Sequence, residues 1–296
     1  MDRVPTGIPG LDMMLHGGLI RGRPYTVSGP PGTGKTILCV QFLLEGIRRD
    51  EQVLLVTTDE PPNELRANLE PFGWNLSQIR ILDATPDVRG VDKVPVRDVS
   101  IVRPVEYLGA VAPSIRRSSE FRPIEASIHA LQETLKQELR ERRYQRIVVD
   151  SVTALRYFYV REGEEDIAIQ SFFRFLADLH ITTLMTVETP EFPALEVSNA
   201  EQYMARGDIR LHRWMNGRGL RRGLTVEKLR ASSHDQTLRP MQITNHGIVV
   251  FAEDRRRPRR PSPRPEAARQ PAPAETAAEA PRLLFEPIFD SELREK

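Results

Sequence analysis

Gly29-Pro30-Pro31-Gly32-Thr33-Gly34-Lys35-Thr36 fits the pattern G-x-x-x-x-G-K-[ST], and its reading decides the rest of the chain. The segment before it, Pro24-Tyr25-Thr26-Val27-Ser28, is short and β-prone. The segment after it, Thr36-Ile37-Leu38-Cys39-Val40-Gln41-Phe42-Leu43-Leu44, reads as the start of a buried helix. Glycines at these spacings let the backbone curl so that successive N–H groups point at one anion. The helix N-terminus adds partial positive charge at the same place. In that setting Lys35 is placed to reach the β- and γ-phosphates of a nucleotide, and the Thr36 hydroxyl to hold Mg²⁺. A Gly/Pro-rich turn before an ordinary helix would use the same residue types, but it would not need strand, loop and helix in register.

Downstream the pattern alternates. Gln52–Thr57 reads as a strand, closed by Asp59-Glu60-Pro61-Pro62, and Asn63–Phe72 as a helix starting near Pro62 or Asn63. Ile79–Leu82 is a short strand. Residues 84–122 have no periodicity and are too long for a tight loop, so they form a functional excursion or a mobile one. Pro123–Arg143 carries an apolar stripe at Ile124, Ile128, Leu131, Leu135 and Leu139, the spacing of an amphipathic helix. Arg146–Asp150 is an apolar strand ending in a carboxylate, Asp166–Leu179 a helix and Ile181–Val187 a strand. Such alternation predicts an α/β fold with a mainly parallel sheet covered by helices on both faces. From Gly207 onward only strands are expected: Asp208–Trp214, Leu220–Leu229, Met241–Thr244 and Ile248–Phe251, forming an antiparallel C-terminal extension. Its turns fall at Asn216-Gly217 and Asn245-His246-Gly247.

The folded body is expected to span residues 1–253. Residues 254–281 are rich in Arg, Pro and Ala and read as a disordered linker. Residues 282–296 form a short apolar-acidic tail carrying Leu283, Leu284, Phe285, Ile288 and Phe289, too few for a core of their own. They read equally as a docking motif for a protein partner and as a segment that folds back.

Composition narrows the function classes. With 42 Lys and Arg against 41 Asp and Glu, the formal charge of +1 marks neither a nucleic-acid binder nor a strongly acidic protein. One cysteine, Cys39, excludes an intramolecular disulfide, and its place on the helix after the loop makes it a small core residue. The start, Met1-Asp2-Arg3-Val4-Pro5, does not read as a signal peptide, and no apolar run reaches the roughly 20 residues that span a bilayer. A cytoplasmic setting without membrane contact is expected.

A triphosphate site needs a carboxylate for the metal at the end of a neighbouring strand, and Asp150 fits, holding Mg²⁺ through water. Hydrolysis also needs a group that orients or deprotonates the attacking water. Asp59 and Glu60 end the Gln52–Thr57 strand at the sheet edge where ligands bind in open α/β folds. A solvated acidic turn before Pro61-Pro62 is the competing account of the pair.

Several stretches together resemble the KaiC-type ATPases of the RecA superfamily. The likeness begins at Thr6-Gly7-Ile8-Pro9-Gly10-Leu11-Asp12 and Gly17-Gly18-Leu19. It runs through Val56-Thr57-Thr58-Asp59-Glu60, Phe72-Gly73-Trp74-Asn75-Leu76, Ile81-Leu82-Asp83-Ala84, Asp150-Ser151-Val152-Thr153 and Met185-Thr186-Val187-Glu188. It closes with Lys228-Leu229-Arg230, Ser233-His234 and Ile243-Thr244-Asn245-His246-Gly247, covering about residues 3–252 with 84–122 poorly matched. The resemblance implies a RecA-like core, assembly into a homohexameric ring, and ATP between neighbours. It implies that Asp59 and Glu60 act on the lytic water, and that Lys228 and Arg230 reach the γ-phosphate held by the next subunit. His234 resembles an adjoining interface position.

Three departures from the family pattern bear on function. Asp59 stands where the family commonly has Glu, so its carboxylate retreats by about 1 Å and slow hydrolysis is expected. The chain carries one module where the clock protein has two. Tyr203-Met204 stands where the kinase half has adjacent Ser and Thr, which speaks against autophosphorylation. A signalling or scaffold ATPase is the expected role. The alternative is a DNA repair or recombination accessory ATPase resembling RecA and RadA paralogues. Against it, the stretch after Asp150 has Arg161 but also Glu162, Glu164, Glu165 and Asp166, and Glu188–Glu201 has no Lys or Arg. Phosphate backbones need cations along their track. The arginines at 255, 256, 257, 259, 260 and 264 would bind nucleic acid without sequence preference, if at all.

Overall fold

Buried Val, Leu and Ile residues alternate along the strands between two packed faces, and this alternation organises the molecule. The computed structural model describes residues 2–85, 128–159, 165–190, 200–217 and 219–251. Most of the 84–122 excursion, Ile124, the stretches 160–164 and 191–199, and the expected linker and tail at 254–281 and 282–296 lie outside the described residues.

A small antiparallel pair, β1 (Arg3–Val4) and β2 (Leu19–Ile20), brackets the short helix α1 (Pro9–Met14). The nucleotide-loop strand is β3 (Pro24–Gly29), followed by α2 (Lys35–Ile47). Then come β4 (Val53–Thr57), α3 (Pro62–Leu69) with a tight 3₁₀ turn at Glu70–Phe72, and β5 (Arg80–Asp83). The expected helix Asn63–Phe72 therefore tightens in its last turn, where Pro71 cannot supply an α-helical N–H. Next are α4 (Ile128–Glu141), β6 (Arg146–Asp150), α5 (Val152–Tyr159), α6 (Glu165–Asp178), β7 (Thr182–Glu188) and α7 (Ala200–Met204). The last strands are β8 (Gly207–Met215), β9 (Leu220–Leu229), β10 (Arg239–Thr244) and β11 (Gly247–Val250).

Among the described residues nine strands form one sheet in the order β11-β10-β9-β8-β3-β7-β6-β4-β5. From β8 to β5 every pairing is parallel, and from β8 to β11 every pairing is antiparallel. The α/β, RecA-like fold class is as expected. The antiparallel C-terminal extension begins at β8 as expected, and β8 joins it to the parallel part by pairing with β3. One expectation is corrected: the strand bearing Asp150 does not adjoin β3, because β7 lies between them. Helices α1, α5 and α7 were not foreseen; each is only a turn or two long.

The period of two sorts the core. Leu55 and Val148 pack with Leu38, Cys39, Phe42 and Leu43 of α2 on one face. Their neighbours Leu54, Val56, Ile147 and Val149 pack with Leu131, Leu135, Phe172 and Leu176 of α4 and α6 on the other. Strands buried on both faces read as continuous apolar runs for this reason. The fully buried Arg146 clamps the lower edge. Its Nε donates to Glu51 Oε2 at 2.5 Å, its Nη1 donates to Pro5 O at 2.7 Å and Phe42 O at 2.8 Å, and its guanidinium lies 4.6 Å from the centre of the Phe42 ring.

A candidate nucleotide site at the carboxyl edge of the sheet

The ends of β3, β4, β6 and β7 share one edge, where ligands collect in open α/β sheets. β3 delivers Gly29 there, and α2 starts at Lys35 with Gly34 as its N-cap at φ 103°. No side chain caps this helix, so its first N–H groups and its dipole face the loop. Gly29 is required by space: a Cβ there would stand 2.5 Å from the Leu211 carbonyl oxygen of β8. Thr33 Oγ1 donates to Pro30 O at 2.8 Å and closes the turn.

Lys35 folds over the loop, its Nζ donating to Gly29 O at 2.9 Å and Pro30 O at 3.1 Å. Burial lowers the Lys35 pKa, and the nearby carboxylates of Glu188 and Asp150 oppose that. Asp150 faces α2 although its strand is two removed from β3. The Thr36 hydroxyl hydrogen-bonds its carboxyl, and Thr186 of the intervening β7 donates to it at 2.5 Å. Burial raises the Asp150 pKa, those two hydroxyls pull it down, and Asp59 pushes it up again. Asp59 therefore lies within electrostatic reach of the same point.

Thr58 sets the position of Asp59 and Glu60. Its N–H donates to Asp150 O at 2.8 Å and its hydroxyl donates to Ser151 O at 2.8 Å, which ties the end of β4 to the end of β6. Asp59 is exposed, and Glu60 is half-buried with Oε2 accepting from Asn68 Nδ2 at 3.1 Å. Pro30, Pro31, Gly32 and Thr33 form the loop between β3 and α2. Two partners escaped sequence reading. Arg222 of β9 donates to Gly32 O from Nε at 3.3 Å and Nη2 at 3.2 Å. Thr186 is the hydroxyl that holds Asp150. Neither has a local signal, since each meets the loop through strand order alone.

Lys228, Arg230 and His234 are not brought to this edge. Arg230 N donates to Arg206 O at 2.7 Å, and Arg206 N donates to Pro24 O at 2.8 Å, so Arg230 sits level with the start of β3, while Lys228 pairs with Asp208 opposite Thr26. Five residue steps run from Pro24 to Gly29, about 17 Å at 3.3 Å per residue, and three from Thr26, about 10 Å. Lys228 Nζ donates to Gln202 O, and Arg230 Nη2 donates to Tyr203 O at 3.1 Å. Burial lowers the Lys228 pKa, with Arg230 and Arg206 adding and Asp208 opposing. His234 lies in the loop after β9, its Nδ1 3.5 Å from Ser232 O.

Among the described residues no group of three His, Cys, Asp or Glu side chains is placed to hold a metal ion alone, and no helix is long and apolar enough to cross a membrane. A family model described as "ATPase: KaiC" matches residues 4–255.

The chain belongs to the KaiC ATPase family.

A circadian clock oscillator protein KaiC from Nostoc sp. is 31% identical over 262 residues, 85% of this chain and 44% of that protein. The KaiC of Synechococcus elongatus is 32% identical over 260 residues, covering 84% and 44%. A UPF0273 protein of Thermotoga maritima is 30% identical over 258 residues, 85% of this chain and 97% of that protein. The chain thus spans under half the length of these clock relatives and nearly all of the Thermotoga protein, which agrees with a single KaiC-like module.

Proposed function

We propose that this chain is an ATP-binding, slowly ATP-hydrolysing KaiC-like module that assembles into a ring, a hexamer, and acts as a nucleotide-dependent signalling or scaffold switch. The ATPase domain spans residues 1–253, and 282–296 recruits a protein partner. The observation that carries the reading is the split in the machinery. Lys35, Thr36, Asp150 and Asp59 share the carboxyl edge, while along the strands Lys228 is set back about 10 Å and Arg230 about 17 Å, both side chains tied to α7. A cation pair so placed cannot serve its own loop and fits the boundary with a second copy.

Within one site the residues divide the work. The N–H groups from Gly32 to Thr36 and the α2 N-terminus bind the phosphates. Lys35 exchanges the Gly29 and Pro30 carbonyls for the β- and γ-phosphate oxygens. The Thr36 hydroxyl and Asp150, which hydrogen-bond each other, would hold a Mg²⁺ ion, Asp150 through water. When bound, that ion supplies charge neutralisation. Asp59 and Glu60 orient the attacking water and accept its proton. Lys228 and Arg230 of the adjacent copy neutralise charge on the transferring phosphoryl group, and His234 adjoins them.

Lys35→Ala tests the core of this. Equilibrium binding of labelled ATP should fall by at least about 10²-fold, and ATP held as tightly as by the parent would end the proposal. Light scattering with and without Mg-ATP tests assembly. A single-strand DNA titration across salt discriminates the recombination reading, which requires tight and strongly salt-dependent binding.

A further inference from the structure

Asp208 is a buried carboxylate, 4% exposed, in a strand whose next inward residues are Ile209 and Leu211. A carboxyl group in such a place is costly unless its oxygens are paired. One oxygen accepts from Thr26 Oγ1 at 2.6 Å. The other accepts from Ser28 Oγ at 3.1 Å and from Gln202 Nε2 at 3.2 Å. Thr26 and Ser28 belong to β3, just before Gly29. Gln202 belongs to α7.

The same turn of α7 holds the distant cations. The Gln202 carbonyl accepts from Lys228, the Tyr203 carbonyl accepts from Arg230 at 3.1 Å and Lys228 at 3.4 Å, and the Arg230 guanidinium lies 5.9 Å from the centre of the exposed Tyr203 ring. Asp208 is also the direct register partner of Lys228 across β8 and β9, and of Thr26 across β8 and β3. On the other side of α7, Arg156 of α5 donates to Glu201 at 2.8 Å. Long cationic side chains at a surface ordinarily sample many rotamers, and fixed acceptors narrow them before a phosphate arrives.

We infer that Asp208 and Gln202 are positioning residues for the trans cations: together they pin the last turn of α7, whose carbonyls set where Lys228 and Arg230 present their charge to the nucleotide of the adjacent copy. The inference rests on the proposed action of that pair across a subunit boundary. It adds that the strand leading into one subunit's own nucleotide loop is tied, through a single carboxylate, to the cations that subunit offers its neighbour.

Subunit mixing separates the two claims. Gln202 is partly buried, and when it is truncated both oxygens of Asp208 keep a partner in Thr26 and Ser28. The variant should keep its melting temperature and its own ATP binding while kcat falls about tenfold. Lys35→Ala subunits lack a working loop but carry an intact α7 and cation pair. In a 1:1 mixture of the two impaired variants, head-to-tail geometry leaves about one quarter of the boundaries with an intact loop facing intact cations. Turnover should therefore return to about a quarter of the parent rate. Lys228→Ala mixed with Lys35→Ala is the control, and Asp208→Asn, which keeps the side-chain shape, should complement as Gln202→Ala does. An unchanged kcat in Gln202→Ala overturns the inference, as does a loss that mixing leaves in place while the Lys228→Ala control recovers. If the control itself does not recover, the trans assignment of Lys228 falls, and the positioning role with it.

Discussion

Gly29→Ala places a methyl group where the nucleotide loop and β8 are in contact. The added Cβ would lie 2.5 Å from Leu211 O, 3.1 Å from Leu211 Cβ and 3.2 Å from Thr33 Oγ1. An ordinary carbon–oxygen approach is about 3.3 Å, so loop and strand must separate by about 0.8 Å. The obstacle is a backbone carbonyl, which cannot swing aside as a side chain does. The displaced segment carries the Gly29 carbonyl that Lys35 holds, and it leads into the whole anion cradle. A misplacement near 1 Å costs about 10²-fold in rate, and overpacking of this kind costs about 2 kcal/mol in stability. For a domain of this size that lowers Tm by about 4–8 °C. Phosphate release under steady state gives kcat/KM, and calorimetry gives Tm. Gly73→Ala is the comparison, since Gly73 has φ 64° and nothing within 4 Å of its added Cβ. Its left-handed backbone alone costs about 1–2 kcal/mol, so Tm should fall comparably with turnover intact. A Gly29→Ala enzyme within about threefold of the parent kcat/KM, or a Gly73→Ala enzyme equally impaired, would refute the reasoning.

Arg146→Met removes the buried clamp, leaves Glu51 with Arg21 as its remaining partner and takes a donor from two carbonyls; a loss of about 3 kcal/mol is expected, read as a Tm drop of about 6–12 °C, and an unchanged Tm would contradict it. His212 is held below the ordinary imidazole range by burial, with Arg210 adding and Glu227 opposing. The unfolded chain therefore binds the proton more readily, so stability should be full above about pH 6.5 and fall as pH drops toward the depressed folded value. His212→Gln should flatten that fall in melting scans from pH 8 to 5; a variant that tracks the parent at every pH would count against the assignment. Parent turnover is expected below about 1 s⁻¹ because the Asp59 carboxylate stops a methylene short, and Asp59→Glu should raise it with ATP affinity unchanged. A parent turnover well above that value in a phosphate-release assay would remove the argument.

The amino-acid sequence by itself determined the nucleotide loop, the family and most of the sheet. The motif at Gly29–Thr36 acts through its own backbone within eight consecutive residues, so its chemistry is local. Buried parallel strands announce themselves as apolar runs bounded by turn residues, and long helices as stripes such as Ile128, Leu131 and Leu135. Short elements escaped this reading. The run Val152–Tyr159 is too brief for its periodicity to separate helix from strand, and α1 and α7 are briefer still. Tertiary structure alone decided which strands adjoin. Every buried strand carries the same kind of apolar run, so nothing local states that β7 lies between β3 and β6, that Thr186 rather than a β3 residue holds Asp150, or that Arg222 reaches Gly32 O. The distance between Lys228 and its own loop is of the same kind. It follows from the antiparallel course of β9, which carries Lys228 back past Thr26 and Arg230 to the level of Pro24, because hydrogen bonds between strands join residues far apart in the chain.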